Sequence, residues 1–271
     1  QQTDKLESKK SFFNKIKNAI THWQNRNTQS GSKKNILAHY DLGNELYTRF
    51  LDPQMMYSSA IYPSPTTSLE YAQLYKLKTI CERLSLTEDD HLLEIGTGWG
   101  GLAIYAAQNF GCKVTTTTIS DAQYEYAEQR VKELNLEDKI TLLKKDYRDL
   151  TGTYDKVVSI EMIEAVGYEF LPSFFEQCND RLKEGGKLLI QSITIADQRF
   201  EHYKNNVDFI QRYIFPGGFL PSVNVLSEQL TESSEMVIEG LHDIGLDYAK
   251  TLADWRSSFL DSWTELTQFG Y

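Results

Sequence analysis

The sequence predicts an α/β fold with a mostly parallel sheet flanked by helices, and three observations carry that prediction. From residue 90 onward, short apolar or β-branched runs alternate with helical stretches, the signature of βαβ units. A glycine-rich turn, Gly96-Thr97-Gly98-Trp99-Gly100-Gly101, stands where the first such run gives way to a helix. The 271 residues are 41% hydrophobic and 24% charged, enough for one large core with a flanking arm.

Residues 91–95 (His-Leu-Leu-Glu-Ile) read as the first strand and residues 102–109 as the helix after the glycine turn. Residues 113–119 hold four threonines in a row and predict the second strand. A helix follows over residues 121–134, capped by Ser120 or Asp121. Residues 140–144, 154–160 and 187–195 read as three further strands, residues 235–244 as a candidate sixth, and residues 248–266 as helical. A seven-stranded sheet needs one more strand after that helix. None is apparent by Tyr271, so either the sheet is completed otherwise or a C-terminal piece is missing. The expected layout is an arm and linker over residues 1–34 and one domain over residues 35–271. That domain has a helical N-terminal lid and a cap inserted after the fifth strand.

The formal net charge is −10, but residues 1–34 carry eight Lys or Arg against Asp4 and Glu7. A body this acidic excludes nucleic-acid binding through a general basic surface. In the arm, Phe12, Phe13, Ile16, Ile20 and Trp23 recur at helical spacing among lysines, a basic amphipathic helix. It suits docking on an anionic lipid surface, and equally packing on the body. Cys81, Cys112 and Cys178 form no CxxC pair, which argues against a metal site or disulfide framework and fits a reducing, cytoplasmic compartment. No run of about 18 apolar residues and no signal peptide is recognisable; the first residue is Gln1, as if the start were processed or trimmed.

The glycine turn lets a ligand approach the main chain and leaves the N–H groups of the next helix open to a carboxylate. Its spacing is E-x-G-x-G-x-G, from Glu94 through Gly96, Gly98 and Gly100, rather than the dinucleotide fingerprint. The second strand ends in Thr118-Ile119-Ser120, with no acid to hold an NAD ribose. These features favour S-adenosylmethionine over NAD or a purely structural turn. Tyr147 and Arg148 follow the third strand, where adenine contacts lie; a surface ion pair between Arg148 and Asp149 is the alternative. Glu161 and Glu164 follow the fourth strand. One could bind the cofactor's ammonium and the other face the substrate, or both could cap a helix start. His39 is a candidate base or a hydrogen-bonded structural residue.

Residues 39–44 (His-Tyr-Asp-Leu-Gly-Asn), residues 55–58 (Met-Met-Tyr-Ser), the glycine turn, residues 159–167 and residues 213–222 together resemble the cyclopropane-fatty-acyl-phospholipid synthases and mycolic acid methyltransferases. The resemblance covers about residues 36–271. It implies a Rossmann-like class I methyltransferase that uses S-adenosylmethionine on a cis double bond of a phospholipid acyl chain, with bicarbonate removing a proton. It also implies a peripheral membrane location and often a homodimer.

Carried over by position, Tyr57, Ser58, Glu94, Gly96, Thr97, Gly98, Gly100, Thr118, Ile119, Gln123, Tyr147, Arg148 and Glu161 lie on the cofactor side. Glu164, Ser59, Gln191, Ile193 and His39 lie on the catalytic side. Ser59 stands where the family has cysteine and Gln191 where it has histidine; the family's C-terminal tyrosine is expected beyond Tyr271. These departures leave two other expectations open: a small-molecule methyltransferase and a cofactor-binding partner subunit without turnover. The aromatic group Tyr203, Phe209, Tyr213, Phe215 and Phe219 suits either an acyl-chain tunnel or the core of the cap.

Overall fold

Leu92 and Leu93 are adjacent, both wholly buried, and belong to different cores. Successive side chains of a strand point to opposite faces, so the strand that holds them must be covered on both sides. In the computed structural model, which describes residues 27–29, 31–32 and 43–271, that strand is β1 (His91–Ile95). It pairs in parallel with β2 (Lys113–Thr117) and β4 (Tyr154–Ile160); β3 (Ile140–Leu143) and β5 (Leu182–Gln191) complete a sheet of order β3-β2-β1-β4-β5.

Before the sheet come α1 (Asn44–Phe50) and α2 (Leu69–Arg83). Between its strands lie α3 (Gly101–Phe110), α4 (Asp121–Glu133) and α5 (Leu171–Arg181). After it follow α6 (Asp197–Lys204), α7 (Phe209–Tyr213), α8 (Val223–Ser233), α9 (Gly245–Asp261) and α10 (Trp263–Leu266). One core joins Leu77, Ile80, Leu102, Ile104 and Val131 to Val114 and Val158. The other joins Phe174, Phe175 and Cys178 to Leu93, Ile95 and Val157. A smaller aromatic cluster gathers Tyr47, Trp99 and Trp255 at the top of the sheet.

The fold class and the first four strands follow the sequence expectation, and the sheet is wholly parallel. Ser120 rather than Asp121 caps α4, its hydroxyl accepting from the Gln123 amide at 3.3 Å. The fifth strand begins at Leu182 and stops at Gln191, not at 187 and 195. It stops because the Ile193 amide turns away to Glu164. The expected sixth strand over residues 235–244 does not form. This segment touches β5 through a Lys187–Glu239 ion pair at 3.8 Å, and Val237 and Leu241 stand 81% and 77% exposed.

The arm's basic helix and His39 lie outside the described residues. Part of the expected linker is docked: Asn27 and Ser32 are buried, and the Asn27 side chain donates to the Gly217 carbonyl at 2.8 Å. Among the described residues no helix is long and apolar enough to cross a membrane.

Gly101 opens α3 under the loop between α1 and α2. A Cβ there would stand 2.5 Å from the Met56 sulfur and 2.6 Å from the Gln54 carbonyl oxygen. The backbone oxygen cannot swing aside, so Gly101→Ala must push the loop off the helix. We expect a loss of about 1–3 kcal/mol in stability, measured by urea unfolding, the usual range for overpacking; an unchanged midpoint would show that the loop floats.

Candidate functional site

In an open parallel sheet, ligands sit beyond the carboxyl ends of the strands where the strand order reverses. Here that point lies between β1 and β4. Ser159 near the end of β4 donates to the Ile95 carbonyl at 3.0 Å, holding the two strand ends together. The glycine turn leaves β1 there, and Glu161 leaves β4.

The turn takes left-handed backbone at Gly98 (φ 53°) and Gly100 (φ 89°). Space over Gly98 is open, with no atom within 4 Å of where a Cβ would stand. Gly100 precedes α3 without a side-chain cap, so nothing from the N-cap residue covers the first amides of the ten-residue helix. Beneath the turn, buried Glu94 accepts from the Thr116 hydroxyl at 2.6 Å, and Thr116 contacts the Thr97 hydroxyl at 2.7 Å. Burial pushes the Glu94 carboxyl up to about 8. At the tip of β2, the Thr118 hydroxyl donates to Gln123 at 3.0 Å, and Ile119 is half-buried beside them.

Glu161 is a non-glycine residue at φ 47°, a conformation that costs on the order of 1–3 kcal/mol and persists only where its surroundings hold it. One carboxylate oxygen accepts from both the Ser59 amide and the Gln191 side chain, each at 2.9 Å. The same Gln191 nitrogen also donates to the Ser59 carbonyl at 3.0 Å. Ser59 and Gln191, both expected on the catalytic side, therefore spend these donors on each other and on Glu161. Glu164 sits one turn on. Its Oε1 accepts from the Ser192 hydroxyl and the Ile193 amide, whereas its buried Oε2 has no hydrogen-bond partner. Desolvation, then the neighbouring charge of Glu161, pushes the Glu164 carboxyl up to about 8. Desolvation raises Glu161 as well.

Tyr57 lies in the aromatic cluster, 5.3 Å from Trp255 and 5.4 Å from Tyr47 between ring centroids. Trp99 packs 4.8 Å from Tyr47 and donates to Asn44. Tyr147 is 9% exposed and packs edge-on to Phe174, its hydroxyl buried without a partner. Arg148 pairs with Asp146, not with Asp149, and donates to the Asn27 carbonyl at 3.0 Å. It thus anchors the docked N-terminal segment to the loop after β3. The aromatic group of the insert divides. Tyr203 and Phe219 pack with Phe200 and Tyr168 as the core of the cap, while Phe209 is 66% exposed. Buried Gln211, bonded to the Gly218 carbonyl, turns the other face of short α7 outward.

Three contributors were not found from the sequence. Tyr248 on α9 lies close enough to Glu161 and Glu164 that their charges add to its burial, pushing its phenol up to about 12. Thr251, one turn along, accepts from the Ala60 amide at 3.0 Å and fixes α9 against the loop. Lys76 on α2 is fully buried and donates to the Ser58 hydroxyl at 2.7 Å. A signal for Lys76 was present: Ala72, Lys76, Leu77 and Ile80 share one buried helical face, where a lysine is out of place. Among the described residues no His, Cys, Asp or Glu cluster could hold a metal ion.

The family described as mycolic acid cyclopropane synthetase matches residues 27–270. The cyclopropane-fatty-acyl-phospholipid synthase of Escherichia coli K12 is 43% identical over 231 residues, covering 84% of this chain and 57% of that protein. The chain thus spans a little over half the length of this curated relative. The cyclopropane synthase MmaA2 from Mycobacterium tuberculosis superposes with a TM-score of 0.80 at 26% identity, covering 86% of this chain and 85% of that one. The mycolic acid cyclopropane synthase CmaA1, solved in complex with SAH and CTAB, gives 0.77 at 27% identity, covering 83% and 82%.

Glu94 supplies a pH test. Its carboxyl is raised from 4.5 to about 8 on folding, so the stability tied to its neutral form is complete below pH 4.5 and is lost as pH rises through about 8. Glu94→Gln is neutral throughout and keeps an acceptor for Thr116. In urea unfolding at pH 5, 7 and 9 the variant should gain on the unmutated protein as pH rises; parallel curves would mean that Glu94 titrates normally.

Proposed function

The chain belongs to the mycolic acid cyclopropane synthetase family, and we propose that it is an S-adenosylmethionine-dependent C-methyltransferase. Its proposed substrate is the cis double bond of an unsaturated phospholipid acyl chain, giving a cyclopropane or methylated product. The observation that carries this reading is the pair Glu161 and Glu164 beside the glycine turn, with one Glu164 oxygen buried and unsatisfied. A buried acceptor without a donor costs about 1–3 kcal/mol, and a group that brings a donor or a cation to it recovers that loss.

The residues fit the cofactor. The open space over Gly98 and the uncapped start of α3 suit its amino-acid end. Glu94, Thr97, Thr118, Ile119, Gln123 and Tyr147 line the ribose and adenine side of the same strand ends. When bound, S-adenosylmethionine supplies an electrophilic methyl group. An alkene is a weak nucleophile, so the protein must hold it dry and in line with that methyl. The aromatic rings of Tyr57 and Trp255 and the two carboxylates can stabilise the positive charge that then grows on the acyl chain. Ring closure requires that a proton leave the transferred methyl. Bicarbonate beside Glu164 would supply the acceptor, with Glu164 Oε2 taking the hydrogen bond of its O–H. Tyr248 stays protonated at neutral pH and adds an aromatic, hydroxyl-bearing wall.

Acyl chains are reached from a bilayer surface. The basic amphipathic stretch around Phe12, Ile16 and Trp23 fits peripheral docking there.

The test is methyl-labelled S-adenosylmethionine with vesicles of unsaturated phospholipid, the acyl chains read by mass spectrometry. A gain of one CH₂ is expected, and Glu164→Gln should lower turnover by about 10²–10⁴-fold while the protein still binds S-adenosylhomocysteine. Label absent from lipid with cofactor binding intact would sink the lipid assignment.

A further inference from the structure

Lys76 has no place in the chemistry derived so far, yet it is wholly buried and bonded to the loop that closes the site. It sits mid-way along α2, wholly buried, among Ala72, Gln73, Leu77, Ile80 and Cys81. Burying an ammonium is costly unless its protons are bonded and its charge is offset. One proton goes to the Ser58 hydroxyl at 2.7 Å. The offsetting charges are Glu161 and Asp52, which pull its pKa upward against a larger desolvation that leaves it at about 8. Asp52 is itself engaged with the same loop, accepting from the Gln54 and Met56 amides at 2.8 and 2.9 Å. Gln73, one turn before Lys76 and equally buried, donates to the Ser58 carbonyl at 2.9 Å.

Ser58 is therefore held at two points from α2, by its hydroxyl and by its carbonyl. The next residue makes the contacts that close the site. The Ser59 amide meets Glu161, the Ser59 carbonyl meets Gln191, and the Ala60 amide meets Thr251 on α9. A rotation at Ser58 would break all three together, because each depends on the direction of consecutive peptide groups.

We propose that Lys76 is a positioning residue of the reaction site: it holds Ser58, and so aims the Ser59 peptide at Glu161 and Gln191. Lys76 touches no reacting atom. It fixes the loop whose backbone keeps Glu161 in its left-handed conformation and Gln191 turned inward. For its effect on rate, the inference rests on the methyl-transfer reading; for its effect on the loop, it stands on the geometry alone.

The experiment compares the unmutated chain with Lys76→Met, Ser58→Ala and the double variant. It measures amide exchange over residues 56–62, S-adenosylhomocysteine affinity, and turnover on unsaturated vesicles. In Lys76→Met the Ser59 and Ala60 amides should exchange at least about tenfold faster, while amides of β1 and β4 keep their protection. Turnover should fall by about ten- to a hundredfold, with affinity changed by less than about threefold. The double variant should be no worse than Lys76→Met alone, since both changes remove one hydrogen bond. Unmutated loop exchange together with unmutated turnover in Lys76→Met would overturn the proposal, as would additive losses in the double variant. If Lys76→Met does not fold, Ser58→Ala, which leaves α2 intact, decides by the same measurements. If the unmutated chain shows no turnover, the methyl-transfer reading fails, and loop exchange alone decides the role of Lys76.

Discussion

Glu161 accepts from the Ser59 amide and from the Gln191 side chain while its own amide donates to the Gln191 carbonyl at 2.8 Å. These three bonds join segments separated by 102 and 30 residues at the end of β4. They compensate a left-handed backbone that an acidic side chain does not adopt unaided. Once Glu161 is fixed, Glu164 follows a turn later, β5 ends on schedule, and the loop before α2 closes over the glycine turn. The site is thus less a pocket carved in a domain than a set of chain crossings fastened at one carboxylate.

The electrostatics of this arrangement have a consistent sign. Glu94, Glu161 and Glu164 crowd the switch point of the sheet, and desolvation raises all three carboxyls. One buried ammonium, Lys76, stands behind them. Such a site is poorly satisfied by itself and well suited to a cationic guest, because a positive charge restores ionised carboxylates that burial alone disfavours. Both a sulfonium cofactor and a cation forming on an alkene meet that need.

The loop and helix that complete the site come from opposite ends of the chain. Thr251 holds the Ala60 amide, and Tyr62 bonds Asp254 at 2.8 Å. Arg148 and Gly217 hold the segment around Asn27. Both fastenings include side chain to backbone bonds over sequence separations of more than 100 residues, and the first adds the side chain to side chain bond of Tyr62 and Asp254.

Much of this was legible beforehand. The alternation of strand and helix, the glycine turn after Glu94, a cap at Ser120 or Asp121 and the carboxylates after β4 all follow from local pattern, because periodicity, turn chemistry and capping act within a few residues. What the sequence could not show is which donors remain available. Ser59 and Gln191 were legible as catalytic-side positions, but not that the fold spends these donors on Glu161 and on each other. Residues 235–244 looked like a strand, yet they join no strand of the sheet. Arg148 offered Asp149 as an ion-pair partner, yet it binds Asp146 and the N-terminal segment. Lys76 and Tyr248 gained their roles only through packing. Hydrogen bonds between distant segments are allocated by three-dimensional proximity, and that allocation is decided by the assembled sheet rather than by any local stretch of chain.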